Sequence, residues 1–360
     1  MKYVQLYASD SANEGAAPDW KNHLAGKPGF RVLINAPFNW IKAFALKGDT
    51  HMGWVAGLPQ VELDNGEVVN INDPDYLIHV HLCGEHYNLA HKVKTLAPKA
   101  RILASIDYGL NLWGNALGFH NVDAVADALR PADWVFSTEP EIAWLLTDKL
   151  GRDVPCIPHP YNIAATAEYK MSYEEPRVCV IMVHEYDGDF YYAHLVLRDL
   201  PNLRTHVVGM RKENVSLVKG ILYERVTPYT TFEFMLSGGV NNLTLGEKGG
   251  FFPRAYMAFD SYGLRVSGRF QCDCAALGLP CIGSDLAMFQ RILFPETTGG
   301  YYAIEEQRLL AKQLLNEPEF YNAVSDKSQE RLKPFDLEPT VERMLAFING
   351  KEFHDYKEVR

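Results

Sequence analysis

Residues 259–285 of the chain read FDSYGLRVSGRFQCDCAALGLPCIGSD. Residues 261–269 form a polar loop with two glycines. Residues 270–277 lack Gly and Pro and favour a helix, and residues 279–282 begin a buried strand. A glycine-bearing loop that leads into a helix N-terminus presents backbone N–H groups and the positive end of the helix dipole. The stretch is therefore either an anion site suited to a diphosphate or an ordinary loop, helix and strand of an α/β domain.

The composition indicates a globular protein that is long enough for two domains. The chain has 360 residues, of which 47% are hydrophobic and 22% are charged. It has no long uninterrupted apolar run and no apolar signal segment at the N-terminus, so the sequence predicts no integral membrane association. The six cysteines lie in or beside predicted core segments, which favours a reducing, cytoplasmic location.

The charge balance argues against a broad nucleic-acid-binding surface. The formal net charge is −10, whereas proteins that bind the nucleic-acid backbone electrostatically usually carry a basic face. A local basic cleft remains compatible with this balance. A nucleic acid can therefore still be an acceptor, although the net charge does not point to one.

The first half of the chain alternates between predicted strands and predicted helices. The strands fall at residues 3–8, 30–34, 76–82, 99–106, 132–137 and 154–158, and the helices at 87–97, 122–129 and 139–150. An aromatic segment at residues 35–47 is typical of a packed loop and helix, and residues 50–72 are either irregular or hairpin-like. This succession predicts a parallel sheet.

The second half repeats the pattern after a polar connection. The predicted strands are residues 177–183, 204–208, 220–223 and 240–245, and the predicted helices are 190–199, 229–237, 305–315, 318–328 and 339–349. The sequence thus predicts two α/β domains with parallel sheets, facing a ligand cleft. We place an N-terminal Rossmann-like domain at 1–165, a C-terminal one at 176–335, and a final segment, 336–360, that packs back on the N-terminal domain.

Candidate site residues in the first domain follow the ends of its strands, where parallel sheets bind ligands. Asp107 and Tyr108 follow the strand at residues 99–106, and Asp107 is either a general base or a helix-capping or turn residue. Glu14 and Gly15 lie in the loop after the first strand, and His81 lies near the end of another strand. The His-x-His pattern that includes His81 does not match a structural zinc site, so we predict no metal.

Two longer segments carry a resemblance to a known family. Residues 132–162, ADWVFSTEPEIAWLLTDKLGRDVPCIPHPYN, resemble the end of the first domain of GT-B fold glycosyltransferases, in particular the large retaining group called family four. Residues 273–283, DCAALGLPCIG, resemble the second-domain element of that family, with Asp273 in place of a glutamate. The resemblance covers most of the chain but depends on scattered motifs.

The resemblance implies a donor site in the second domain and no metal or other cofactor. Asp273 would contact the ribose of a nucleotide diphosphate sugar, such as a UDP-sugar, and Ser267, Gly268 and Arg269 would bind its phosphates. The implied nucleotide-sugar site includes five further residues: Gly263, Arg211, Lys212, His184 and Glu185. In the first domain, Glu14, Gly15, His81 and Tyr108 would line the acceptor and sugar cleft.

The chain also departs from the family pattern. The family has a first glutamate eight positions before the second, and that position is Arg265 here. Asp260 begins a similar motif, DSYGL, but lies thirteen positions before Asp273. His184 and Glu185 stand where the family places cations, so other residues must neutralise the leaving diphosphate. The candidates are Arg269 first, Arg211 second, then Lys212, Lys248 and Arg254.

The leading hypothesis is a hexosyl- or pentosyltransferase that moves a sugar from a nucleotide diphosphate sugar to a hydroxyl acceptor. The acceptor could be a glycan, a small molecule or a modified DNA base that is flipped out of its duplex. Asp107 would be the base in an inverting reaction and would orient the sugar or acceptor in a retaining one. Two alternatives stay open: a degenerate protein that binds a nucleotide or glycan without turnover, and an epimerase or phosphorylase on the same scaffold.

Overall fold

The computed structural model describes residues 2–7, 36–82, 88–106, 122–167, 177–182, 190–210, 225–228, 255–261 and 267–359. The chain divides into two compact units. The first unit comprises Met1–Tyr161 and Phe335–Arg360, and the second comprises Asn162–Pro334. The C-terminal segment therefore belongs to the first unit, although the whole second unit precedes it in the sequence.

The first unit alternates strands and helices over its described residues. Its strands are β1 (Lys2–Tyr7), β2 (Thr50–Gly57), β3 (Gln60–Leu63), β4 (Val68–Asn70), β5 (Tyr76–Leu82), β6 (Arg101–Ile106) and β7 (Trp134–Ser137). Its helices are α1 (Ala36–Ala45), α2 (Leu89–Leu96), α3 (Val122–Leu129), α4 (Pro140–Leu150) and the C-terminal α10 (Leu337–Ile348).

The sheet of the first unit is parallel at its centre. In the described part of the unit the strand order is β4-β3-β2-β1-β5-β6-β7, and β2, β1, β5, β6 and β7 are parallel. The strand β3 runs antiparallel to β2, and β4 runs antiparallel to β3, which confirms the hairpin-like alternative predicted for residues 50–72. All seven residues of β5 are buried, as expected for a central strand with both faces covered.

Helices cover both faces of this sheet. On one face, α2, α3 and α4 pack over apolar residues of β5 and β6. On the other face, Trp40 and Phe44 of α1 pack with Val341 and Met344 of α10. Burying aromatic side chains such as Trp40 contributes strongly to stability because each removes a large apolar area from water. The aromatic segment around Trp40 is therefore part of the core, as predicted, rather than a binding platform.

One predicted strand of the first unit is wrong. Residues 154–158, VPCIP, form no strand, and Cys156 makes only an isolated bridge to Ser137 of β7. Pro155 and Pro158 have no backbone N–H, so this segment cannot complete a ladder of hydrogen bonds. The apolar residues of the segment are nevertheless buried, which explains why the sequence pattern is strand-like.

The second unit also alternates strands and helices. Its strands are β8 (Arg177–Met182), β9 (Leu203–Met210), β10 (Arg225–Pro228), β11 (Met257–Asp260), β12 (Cys281–Ser284) and β13 (Thr298–Gly299). Its helices are α5 (Phe190–Leu197), α6 (Arg269–Leu277), α7 (Met288–Leu293), α8 (Ile304–Asn316) and α9 (Pro318–Leu332). Across the described residues the order is β10-β9-β8-β11-β12-β13, with every pair parallel.

The central strand of this sheet, β11, was not predicted from the sequence. β11 lies between β8 and β12 and is buried along its whole length, yet its four residues are too short a run to stand out. The short elements β10, α7 and β13 were also missed. The predicted strands at residues 30–34, 220–223 and 240–245 and the helix at 229–237 lie outside the described residues.

Candidate functional site

The first candidate site begins where β11 ends. Ser261, the residue after β11, donates its hydroxyl to the carbonyl oxygen of Met182 at 2.8 Å. Met182 is the last residue of β8, so the carboxyl ends of the two strands are adjacent. In parallel α/β sheets the carboxyl ends of the strands carry the ligand contacts. The next described residue, Ser267, lies two positions before the start of α6.

Gly268 sets the direction in which α6 begins. Its φ of 86° lies in the left-handed region, which favours glycine. A Cβ atom at this position would lie 2.7 Å from Oε1 of Gln271 and 3.1 Å from Cβ of Ala287. The backbone N–H of Gln271 donates to the carbonyl oxygen of Gly268 at 3.1 Å and closes the first turn. The glycine is therefore required both by its backbone angle and by crowding.

Three features of this helix start suit an anion. The first backbone N–H groups of an α-helix have no partner within the helix, and the helix dipole places partial positive charge there. The side chain of Arg269 follows directly after Gly268 and adds a full positive charge. Its Nη2 atom is buried and has no hydrogen-bond partner among the described residues. A buried donor of this kind gains free energy when an acceptor binds it.

Asp273 lies one turn after Arg269 on α6. Residues four apart lie on the same face of a helix, so the carboxylate and the guanidinium share one face. Asp273 is buried, with 4% of its surface exposed. We refer to Ser267, Gly268, Arg269 and Asp273 together as the α6 start. Four residues predicted for the donor site are thus brought onto one loop and the first two turns of one helix.

Asp260, which begins the motif offered for the missing first carboxylate, has a structural contact. Its Oδ2 atom accepts a hydrogen bond from Nε2 of Gln271 at 2.6 Å, and both side chains are buried. This bond ties the end of β11 to the first turn of α6. At least one carboxylate oxygen of Asp260 therefore has a structural role, as the acceptor of this hydrogen bond.

The second candidate site lies in the first unit, where β5 and β6 end. His81 of β5 is paired in register with Ser105 of β6. The Oγ atom of Ser105 lies 2.8 Å from Nδ1 of His81 and 2.8 Å from Nε2 of His79. Ser105 and His79 are fully buried, and His81 is 8% exposed. One hydroxyl group thus joins two imidazoles.

The network continues inward from His79. The hydroxyl oxygen of Tyr3 lies 2.5 Å from Nδ1 of His79. Burial holds the pKa of His79 well below its ordinary value of 6.5, and the charges that His81 and His159 can carry lower it further. His79 is therefore neutral at physiological pH, because the protein interior disfavours the imidazolium.

A third histidine belongs to this group. The indole Nε1 of Trp40 donates to Nδ1 of His159 at 2.8 Å. The rings of His81 and His159 lie 6.0 Å apart between centroids. We call Tyr3, His79, His81, Ser105 and His159 the histidine cluster. Only His81 of this cluster was a predicted site residue, because the parallel register that brings β1, β5 and β6 together cannot be read from sequence spacing.

The other predicted site residues lie outside the described part of the chain. They are Asp107, Tyr108, Glu14, Gly15, Gly263, Arg211, Lys212, His184 and Glu185, together with Lys248 and Arg254. Their roles stay predictions. Within the described ranges no group of three or more His, Cys, Asp or Glu side chains could hold a metal ion. No described helix is long and apolar enough to cross a membrane.

The cysteines beside the α6 start are core residues. Cys272, Cys274 and Cys281 are buried, and burial raises the pKa of each thiol above its ordinary value. A thiol with a raised pKa is a weak nucleophile at neutral pH, since the thiolate is the reactive form. These residues therefore contribute packing rather than covalent chemistry.

No protein-family model and no curated protein matches the chain. Among solved structures it is similar to the sucrose-phosphate synthase of Thermosynechococcus elongatus, with a TM-score of 0.61 and 13% identity, covering 97% of this chain and 99% of that chain. It is also similar to Anabaena HepE, solved in complex with UDP and glucose, with a TM-score of 0.59 and 9% identity over 97% and 99% of the two chains.

A third similar structure is the α,α-trehalose 6-phosphate synthase of Burkholderia multivorans, with a TM-score of 0.55 and 13% identity, covering 77% of this chain and 70% of that chain. These structures are GT-B glycosyltransferases. Identities this low establish the fold alone. The chain therefore has the GT-B fold, with two domains built on parallel sheets, which confirms the predicted fold class.

Proposed function

We propose that this GT-B chain is a glycosyltransferase that moves a hexosyl or pentosyl group from a nucleotide diphosphate sugar to a hydroxyl acceptor. The observation that carries the proposal is the α6 start, where Arg269 has a buried, unpartnered Nη2 atom among the described residues, beside a helix N-terminus. The similarity to HepE, which was solved with UDP and glucose, supports a uridine nucleotide as the donor.

Each residue of the α6 start has a role in this proposal. Ser267, the backbone N–H groups after Gly268 and the guanidinium of Arg269 bind the diphosphate. They stabilise the negative charge that grows on it as the sugar leaves. Asp273, one turn further, accepts hydrogen bonds from the ribose hydroxyls. The carboxylate thus lies one turn away from the phosphates, which limits charge repulsion between the two.

The first unit supplies the acceptor and sugar contacts in this proposal. His81, together with Glu14, Gly15 and Tyr108, contacts the sugar or the acceptor. Asp107 acts as the general base in an inverting reaction, or orients the sugar in a retaining one. The acceptor is a glycan, a small molecule or a modified DNA base. The proposed reaction needs no cofactor and no metal, and we propose a cytoplasmic location.

The first experiment measures the melting temperature of the chain with UDP, GDP, ADP, TDP and inorganic phosphate. A ligand that binds only the folded state raises the melting temperature by mass action. We expect one nucleoside diphosphate to stabilise the chain selectively and phosphate alone to do less. The Arg269→Gln variant should lose most of this shift. The matched Arg198→Gln variant, which removes an exposed arginine of the same unit, should keep it.

The second experiment tests transfer itself. The chain is incubated with the sugar nucleotide whose diphosphate binds, together with glycan, small-molecule and duplex DNA acceptors, and the release of the diphosphate is measured. Release that depends on an acceptor supports the transferase, and the Asp107→Asn variant should abolish it while nucleotide binding remains. Binding without release under every condition would contradict turnover.

A second candidate function is a degenerate GT-B protein that binds a nucleotide or glycan without turnover. The bond between Asp260 and Gln271 favours it. The carboxylate that the sequence offers for the family's missing first glutamate is buried and uses an oxygen to hold α6. The transfer experiment separates the two candidates, because both predict binding and only the transferase predicts release.

A further inference from the structure

Gln271, in the first turn of α6, is a buried residue to which the proposed function gives no role. Its side chain is fully buried, and its Nε2 atom donates to Oδ2 of Asp260 at 2.6 Å. Its Oε1 atom has no hydrogen-bond partner among the described residues. Buried polar atoms without a partner are rare in folded proteins and call for an explanation. The surroundings of Oε1 supply one.

The amide group of Gln271 packs against Gly268. A Cβ atom on residue 268 would lie 2.7 Å from Oε1 and 3.2 Å from Cδ of this amide. The amide therefore fills the space that a side chain at position 268 would need. Gly268 has a φ of 86° and a ψ of 58°, a conformation that glycine adopts readily and other residues seldom do. The contact thus supports the conformation that the chain takes at this glycine.

The backbone of Gln271 also sets the direction of a peptide group. Its N–H donates to the carbonyl oxygen of Gly268 at 3.1 Å. The peptide bond between Gly268 and Arg269 is planar and trans, so its C=O and N–H groups point in opposite directions. Because the carbonyl group is directed along α6 toward Gln271, the N–H of Arg269 is directed away from the helix, where an anion would bind.

Asp260 gives Gln271 a fixed anchor in the sheet. It is the last residue of β11 and is paired in register with Met182 of β8. Its bond to Gln271 joins the central strand to α6 across eleven positions of the chain. A second contact holds the residue before Gly268, since the N–H of Phe289 in α7 donates to the carbonyl oxygen of Ser267 at 2.8 Å. The position of the α6 start is therefore set by the sheet and by α7.

We propose that Gln271, held by Asp260, is a positioning residue that orients Gly268 and Arg269 to bind the diphosphate of the donor. Gln271 and Asp260 do not touch the nucleotide in this arrangement, and they act by fixing the peptide group and the helix start that do. A site that is ordered before the ligand arrives loses less conformational entropy on binding, so its affinity is higher. The inference rests on nucleotide binding at the α6 start, which the proposed function requires.

The test compares nucleotide affinity with stability in two matched variants of the full chain. The ligand is whichever of UDP, GDP, ADP and TDP binds the wild type. Gln271→Met removes the amide but keeps a side chain of similar length, and the affinity should fall about 10-fold. Gln307→Met is the control, because Gln307 is also fully buried in the second unit and donates to the carbonyl oxygens of Gly283 and Gly300 at 3.4 and 3.3 Å. Both variants should unfold at lower urea concentrations, but the control should bind the nucleotide like the wild type.

A second set of variants separates positioning from direct contact with the nucleotide. Asp260→Ala removes the anchor and should lower the affinity by a similar factor. If Asp260 acts through Gln271, the double variant Asp260→Ala/Gln271→Met should bind no more weakly than either single variant, whereas the losses of two independent contacts would multiply. Asp260→Asn keeps an oxygen that can accept from Gln271, so it should recover most of the affinity that Asp260→Ala loses. This last comparison does not require Gln271→Met to fold.

Three results would overturn the inference and leave the proposed function in place. They are equal nucleotide affinities in the wild type and Gln271→Met, losses that multiply in the double variant, and an equal loss of affinity in Gln307→Met. The last result would show that any loss of stability in this unit weakens binding. A wild-type chain that binds no nucleoside diphosphate contradicts the proposed function, and it overturns this inference as well.

Discussion

The histidine cluster and the α6 start differ in the charge that they present. In the first unit, burial holds the pKa of His79 well below its ordinary value, so this imidazole stays neutral. In the second unit, a helix N-terminus and the Arg269 side chain concentrate positive charge. An uncharged site suits a neutral group, whereas positive charge suits an anion such as a diphosphate. The described sites of the two units therefore differ in the kind of ligand group that each suits.

The largest expected effect comes from crowding the α6 start. Gly268→Ala places a Cβ in a left-handed backbone and against Gln271, whose side chain is fixed by Asp260. We expect a loss of roughly 2–4 kcal/mol in the free energy of unfolding and a loss of nucleotide binding. Urea denaturation and the thermal shift with UDP measure the two.

Gly151→Ala is the control for this change. Gly151 has a φ of 64° and caps α4 in the first unit, but nothing lies within 4 Å of a Cβ added there. It should cost only the backbone strain, about 1–2 kcal/mol, and leave nucleotide binding intact. If the two variants lost the same free energy of unfolding, crowding at Gly268 would have no measurable effect.

The second prediction compares the loss of a positive charge at the α6 start with the loss of a histidine in the first unit. Arg269→Gln keeps a hydrogen-bonding side chain but removes the positive charge, so the affinity for UDP should fall about 10- to 100-fold, from a loss of roughly 1.5–3 kcal/mol. His81→Gln in the first unit should leave the affinity for UDP unchanged. Calorimetric titration with UDP measures both, and a similar fall in the two variants would break the contrast between the units.

The third effect is a pH dependence that belongs to the histidine cluster. His79 stays neutral in the folded chain but becomes protonated below about pH 6.5 when unfolded, so the unfolded state binds more protons there. The free energy of unfolding should therefore fall as the pH drops from 7.5 to 5.5. Urea denaturation at both pH values measures this, and His79→Gln should reduce the difference. His91→Gln, at an exposed position, should retain it.

The smallest expected effect comes from breaking an ion pair between an arginine and a glutamate in the second unit. Arg331 forms two hydrogen bonds with Glu296, at 2.7 and 2.8 Å, and lowers the pKa of Glu296 to about 2. The pair is partly exposed, so we expect Glu296→Gln to cost only about 1 kcal/mol at pH 7. Because the pKa is lowered, this contribution exists above pH 4.5 and is lost as the pH falls toward 2. Thermal melts of variant and wild type at pH 7 and 3 should therefore converge at the lower pH.

Most of the fold was readable from the sequence because it depends on local pattern. The helix at α6 is flanked by Gly268 and Gly278, and α9 begins with Pro318, so both could be placed within a residue or two at their starts. The strand β11 was missed because four residues carry too little pattern. Residues 154–158 were wrongly predicted to form a strand, because a buried segment without regular structure can carry the same run of apolar residues as a strand.

The two candidate sites differ in how far the sequence predicts them. The α6 start is contiguous, so Ser267, Gly268, Arg269 and Asp273 could be selected together from one stretch of chain. The histidine cluster joins Tyr3 to His79 and Ser105 across 76 and then 26 positions. Only the register of the parallel strands brings these residues together, and spacing does not reveal that register.

The alternation of strands and helices follows from local sequence, because the periods of apolar residues and the positions of Gly and Pro act over a few residues. The glycine at the start of α6 could be recognised for the same reason, since the loop and the helix are adjacent in the chain. The sequence also predicted that residues 336–360 return to the first domain, but only contacts in the folded chain show that α10 packs against α1, that β11 lies between β8 and β12, and that one serine hydroxyl joins two histidines. Those outcomes depend on contacts between distant segments, whose free energy no local pattern contains.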